Sequence, residues 1–158
     1  MAQTFDNIHS FNAYMKGVIG FIVNDMLGAA EVNGNTGATL LSQRISDTGK
    51  KGDNKKIGKY APSTKKRKER EGKLSSFVNL QNSEQPQDQM WGNFGVVENS
   101  IQGKVIKTIV SGTNEFSNEK LGWNADRYGD FLTLTKTEEK MLAKAFDSEL
   151  QIILNKYF

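Results

Sequence analysis

Apolar residues recur at spacings of three and four from the chain's start: Ile8, Phe11, Met15, Ile19, Ile22, Met26 and Ala30. That period marks one face of an α-helix. It predicts a first helix from Asp6 to about Ala30, capped by Thr4 or Asp6. Gly17, Gly20 and Gly28 lie inside it, and each costs about 1 kcal/mol against alanine. Packing is expected to offset them, for instance by letting another backbone come close. The stretch VNGNTG, 32–37, is dense in turn-forming residues and predicts a break. A second helix is expected from about Ala38 to Ser46, capped by Asn35 or Thr36, with Leu40, Leu41 and Ile45 on one side.

The apolar pattern then fades. Between Asp47 and Ile57 the chain is glycine and charge, which reads as a loop. Pro62 keeps Ala61 out of helical geometry, and STKKRKEREGK after it suits a short helix ended by Gly72. LSSFVNL, 74–80, reads as extended or as an edge strand. SEQPQDQMWGNF, 83–94, suits a short helix with Ser83 as cap, Pro86 in its first turn, and Met90, Trp91 and Phe94 buried. Two Val/Ile-rich runs between Phe94 and Gly112 flank Gln102-Gly103 and predict a hairpin. A short helix is expected from Ser117 to Asp126. The last segment, Lys136–Tyr157, carries the clearest helical signal. Thr135 and Glu138 form a capping box, Glu139 sits beside them at the positive end of the dipole, and Leu142, Ala145, Phe146, Leu150, Ile153 and Leu154 share a face. The order predicts one α+β domain over residues 1–158: a small antiparallel hairpin sheet packed by long N- and C-terminal helices, with a basic loop or arm at about 47–73.

Charge sharpens this picture. The chain has 158 residues and a net charge of +3. Lys50 to Lys73 holds eleven of its 21 basic residues and three of its 18 acids, so this segment is at +8 and the remainder at −5. An acidic body with one basic excursion points to a polyanion partner or to an acidic neighbouring surface, including that of another copy. Two readings stay open. In one the segment is an arm between subunits, with Ile57, Tyr60 and Leu74 as apolar anchors beside the cations. In the other Lys65, Lys66, Arg67, Lys68 and Arg70 meet the phosphates of duplex DNA. Tyr60 is the segment's one aromatic residue, too few for a stacking platform.

Candidate chemistry is sparse. Without cysteine there is no disulfide, thiolate site or cysteine nucleophile. The single histidine, His9, has no acid or nucleophile assigned to it by any motif, and a structural role is expected. Asp126, Asp130, Glu138 and Glu139 match no calcium or phosphoryl-transfer pattern, and GNTGAT, 34–39, lacks the ending of a phosphate loop. No catalytic residue, metal or cofactor is expected. The apolar run VIGFIV, 18–23, is far short of the roughly 20 residues a membrane span needs, and the N-terminus lacks the features of a signal peptide.

Three stretches together, IGKYAPSTKKRKEREGK (57–73), VNLQNSEQPQDQMWGNFGVV (78–97) and RYGDFLTLTKTEEKMLAKAFDSEL (127–150), resemble the neck, tail-completion and virion-morphogenesis proteins of tailed bacteriophages. Arg127, Phe131 and Leu132, followed by Thr135 and Glu138, stand where that family places an arginine, a Phe-Leu pair and a capped helix. Ile57, Gly58, Tyr60, Ser63 and Thr64 resemble a variant of its central motif. The family's Thr-Gly pair before the hairpin is missing, with Asn82 and Ser83 in that region. The resemblance implies a structural, non-enzymatic virion protein, made in the host cytoplasm. It would form a homo-oligomeric ring of about six or twelve copies. The ring would sit against portal, connector or tail proteins, with DNA passing through it. The alternative is a DNA- or RNA-binding regulator that uses residues 50–73.

Overall fold

The computed structural model describes residues 6–81 and 90–158. Its elements are α1 (Ile8–Thr48), α2 (Pro62–Arg70), a 3₁₀ turn (Trp91–Asn93), β1 (Phe94–Gln102), β2 (Val105–Gly112), α3 (Glu115–Tyr128) and α4 (Lys136–Tyr157). The α+β expectation holds: a two-stranded antiparallel sheet lies against the first helix, which the last helix also packs.

The first correction concerns α1. It is one unbroken helix of 41 residues, about 60 Å long, with no break at VNGNTG and no second helix. Its cap is Asn7, whose Oδ1 accepts from Ser10 N at 2.9 Å, while the Ser10 hydroxyl accepts from Asn7 N at 3.3 Å. The turn-forming residues of 32–37 are used otherwise. A Cβ on Gly34 would lie 2.7 Å from a Val96 methyl and 2.8 Å from a Thr108 methyl, and one on Gly37 would lie 3.2 Å from Leu142. At these two glycines the hairpin and α4 pack closely on the helix. Asn35 Oδ1 accepts from Val96 N at 3.0 Å, and Thr36 and Thr39 bond back to carbonyls four residues earlier. Packing thus replaces what propensity loses. Gly17, Gly20 and Gly28, expected at a close approach, face open space instead.

The hairpin runs in register from Phe94↔Gly112 to Gln102↔Val105, with a bulge at Val97. Its two-residue loop is Gly103-Lys104, one position later than the sequence suggested. Gly103 has φ 65°, a conformation open to glycine at little cost. The sheet is tied to α1 by Asn99 Nδ2, which donates to Leu27 O at 2.6 Å. Moving along β1 from Val96 to Asn99 therefore moves back along α1 from Asn35 to Leu27. Helix α4 runs antiparallel to α1. Glu138 meets Arg44 at one end, and Lys156 and Tyr157 both meet Asp25 at the other.

The core gathers at the C-terminal end of α1, where Leu41, Ile45, Ile57, Val78, Leu80, Met90, Leu121 and Phe131 are buried together. LSSFVNL supplies Val78 and Leu80 to it but forms no strand; among the described residues the sheet consists of β1 and β2. Of the helix expected at 83–94, Ser83 and Pro86 lie outside the described residues. Met90 is buried as expected, and Trp91 and Phe94 are half-buried, meeting edge-to-face at 5.4 Å. Helix α3 extends slightly beyond the expected Ser117–Asp126, capped by Asn114. Helix α4 and its Thr135–Glu138 capping box match the sequence reading.

Candidate nucleic-acid and assembly surfaces

The basic segment is folded onto the chain's own core. Helix α1 ends at Gly49, whose φ of 63° closes it and whose N–H bonds Ile45 O. A side chain there would strike Phe77 and the Val78 carbonyl. The chain then turns back, with Lys50 bridging Lys56, and Ile57 N bonding Gly49 O at 2.8 Å. Ile57 drops into the core at 5% exposure. Tyr60 donates to Asn79 Oδ1 at 2.7 Å and accepts from Asn79 N at 3.1 Å. Pro62 opens α2. Gly72, at φ 66°, closes it in a Schellman arrangement, with Lys73 N bonding Lys68 O.

The expectation that Ile57 and Tyr60 wait on a loose arm is corrected here: both are spent inside this chain. Lys68 is corrected as a DNA contact for the same reason. It is 2% exposed. Its Nζ donates to Gln81 O at 2.7 Å and to Asn79 Oδ1 at 3.3 Å, and lies 4.9 Å from the centre of the Tyr60 ring. Burial, then the nearby Lys73 and Arg67 charges, push its pKa down, and burial pushes that of Tyr60 up. Lys68 therefore pins α2 to the segment that ends at Gln81.

The other four cations of α2 face water. Lys65 and Arg67 pair along the helix with Glu69 and Glu71 at 3.7 and 3.9 Å. Such exposed pairs are worth little. Lys66 and Arg70, one turn apart, have no carboxylate partner among the described residues. Leu74 is also exposed, at 43%. The outward face of α2 is thus an ordered row of charge on a rigid helix.

The family-like motif takes up both sides of the chain before α4. Phe131 is fully buried in the core, with Trp91 edge-on at 6.4 Å. Leu132 lines a separate, largely apolar cavity of about 350 Å³, bounded by Gly34 and Gly37 of α1, Ile106 and Val110 of β2, and Leu142 of α4. No residue lining that cavity is titratable, so it offers no acid or base. Arg127 stays exposed, with its guanidinium 5.3 Å from the Tyr128 ring centre. Thr135 N donates to Glu138 Oε2 at 2.6 Å.

Arg44 is the residue sequence reasoning missed. Its Nε donates to Glu138 Oε1 at 2.9 Å, and its two terminal nitrogens reach Lys50 O at 2.7 Å and Thr133 O at 2.6 Å. One guanidinium thereby fixes the end of α1, the start of the basic segment and the lead into α4. Burial pushes the Glu138 pKa up, but the bonds from Thr135 and Arg44 outweigh it and leave the carboxyl below its ordinary value. No local pattern marks Arg44, because all its acceptors are distant or on the backbone.

At the opposite end several large apolar side chains are exposed among polar ones. Ile8, Ile19 and Phe21 of α1 are exposed, as are Ile101 and Val105 at the hairpin tip and Ile152 and Phe158 near the end of α4. His9 is exposed on the first turn of α1. Among the described residues no cluster of His, Asp or Glu could hold a metal, and no helix is long and apolar enough to cross a membrane. The chain matches no protein-family model, no curated protein and no solved structure.

Proposed function

We propose that this chain is a structural subunit of a tailed-bacteriophage virion, a neck or tail-completion protein that assembles with copies of itself into a ring through which DNA passes. The observation that carries the reading is the set of large apolar side chains left exposed around the N-terminal part of α1. One end of α1 is packed and carries an ordered basic helix; the other leaves Ile8, Ile19, Phe21, Val105 and Phe158 open to water. Exposed large apolar side chains of this kind are what an assembly contact covers. An assembly subunit needs them.

Further support comes from the residues that carry the phage resemblance, since Phe131, Leu132, Thr135 and Glu138 all hold structural positions between the end of α3 and the first turn of α4. The reading involves no catalytic step, cofactor or metal. Lys66 and Arg70, exposed on α2, would meet phosphates in the ring's lumen, and the same two residues favour the second reading, a nucleic-acid-binding regulator. Native mass measurement and electron microscopy of the purified protein separate the two. A closed oligomer, or uptake into phage particles, is expected; a monomer or dimer that binds DNA and never enters particles would overturn the virion reading.

A further inference from the structure

We infer that residues 59–76, which hold α2, form a strap that comes off the body as one unit while the core behind it stays folded. The use of such a strap rests on the assembly reading above and deepens it; its opening does not depend on that reading.

The strap begins and ends on fixed points. Ile57 is buried in the core, and the backbone at Gly58 lies so near Tyr128 that a Cβ there would meet its ring at 3.0 Å. At the other end Phe77 packs on Gly49, and Val78 is buried. Between these anchors Lys68 is the one buried residue. Most helices in proteins are held by an apolar face. The helix PSTKKRKER has none, and Lys68 is its buried residue. The strap's hold on the body runs through Lys68 and the half-buried Tyr60, and both bind the same short stretch. Tyr60 exchanges two hydrogen bonds with Asn79, and Lys68 donates to Asn79 Oδ1 and to Gln81 O. The closely packed pairs of elements are α1 with α4, α1 with each strand, the two strands with each other, and α3 with β2; α2 belongs to none of them. A segment with so few buried apolar contacts opens at less cost than the whole fold.

Docking also carries an electrostatic cost. Among the described residues no carboxylate forms an ion pair with Lys68. The strap holds seven Lys or Arg against two Glu, and the Lys73 and Arg67 charges act on Lys68 in the docked state. Opening returns Lys68 to water and gives the segment back its conformational freedom; the bonds to Asn79 and Gln81 oppose it. Eighteen residues tied at both ends reach at most about 30 Å from the body. In the proposed ring, that lets the strap lay its cations on the acidic body of the next copy. The arm suggested by the sequence is thus stored against its own chain, and Ile57 stays behind in the core.

The test is native-state hydrogen exchange on the full chain in isolation. Amides 65–71 should exchange as one set, at least about a hundredfold faster than those of Leu41 and Ile45. Tyr60→Phe, which removes both bonds to Asn79 and keeps the ring, should speed that set roughly tenfold. Trypsin provides a reading that needs no variant: it should cut within 65–73, and the nicked protein should keep the helicity of α1 and α4 by circular dichroism. The strap is overturned by amides 65–71 as slow as those of Leu41 and Ile45, by unrelated rates along α2, by an unchanged rate in Tyr60→Phe, or by a nicked protein that loses its helicity. Each of these leaves the assembly reading standing. A strap that opens in a chain that stays monomeric and never enters particles overturns the assembly reading alone.

Discussion

Arg44 Nε donates to Glu138 Oε1 at 2.9 Å, joining the last turns of α1 to the first turn of α4, and the two side chains are only 11% and 12% exposed. The same carboxylate closes the capping box through Thr135 N at 2.6 Å. Removing either partner leaves the other charge buried and unpaired. Glu138→Ala or Arg44→Ala should destabilise the protein by about 3 kcal/mol, measured by urea unfolding at neutral pH.

The same pair sets an acid limb. Because the folded Glu138 pKa is depressed, its stabilisation is fully present above the unfolded value of about 4.3 and is lost as pH falls through the folded value. Glu138→Gln should be less stable than wild type at pH 7, with the gap closing as pH drops below about 4. Unfolding free energies from pH 3 to 7 check this.

Gly34 and Gly20 are predicted to respond oppositely to alanine. At Gly20 nothing lies within 4 Å of a new Cβ, so Gly20→Ala should stabilise by about 1 kcal/mol through helix propensity alone. At Gly34 the new carbon meets two methyls below 3 Å. Gly34→Ala should cost about 1–3 kcal/mol as the hairpin is pushed off the helix. Thermal melts of the two variants give the signs directly.

Lys68 should be the slowest amine on α2. Its burial shields it from acylating reagents, while Lys65 and Lys66 are exposed and should be modified first, as peptide mapping would show. Its pKa is lowered in the fold. Lys68 therefore penalises the folded state when protonated, and stability rises as pH climbs from the folded value towards the unfolded one of about 10.4. Lys68→Met should lose that rise.

Lys66 and Arg70 carry the DNA prediction. If α2 faces phosphates, wild-type affinity for duplex DNA should fall steeply with salt. Lys66→Ala and Arg70→Ala should each reduce the slope of log affinity against log salt by about 1. Lys68→Met should leave the slope unchanged. Binding titrations from low to physiological salt measure it, using assembled protein so that the summed charge of the ring is present.

Where neighbours in sequence settle the geometry, the amino-acid pattern was enough. Thr135, Glu138 and the apolar face after them specify α4 because a capping box and a helical stripe involve residues within a few positions of one another. The hairpin follows from two β-branched runs and one glycine, and only its turn moved, by a single residue. Packing between distant segments decided the rest. VNGNTG carries every local mark of a break, yet Gly34 and Gly37 admit the hairpin and α4 so closely that burial outweighs their poor propensity, and Val96 occupies the side chain of Asn35. In the run KKRKER the cations look alike, but one of them, Lys68, meets the Gln81 carbonyl and leaves the solvent. Which cation turns inward depends on where a segment some thirteen positions away comes to lie, and a linear pattern of charge holds no record of that distance.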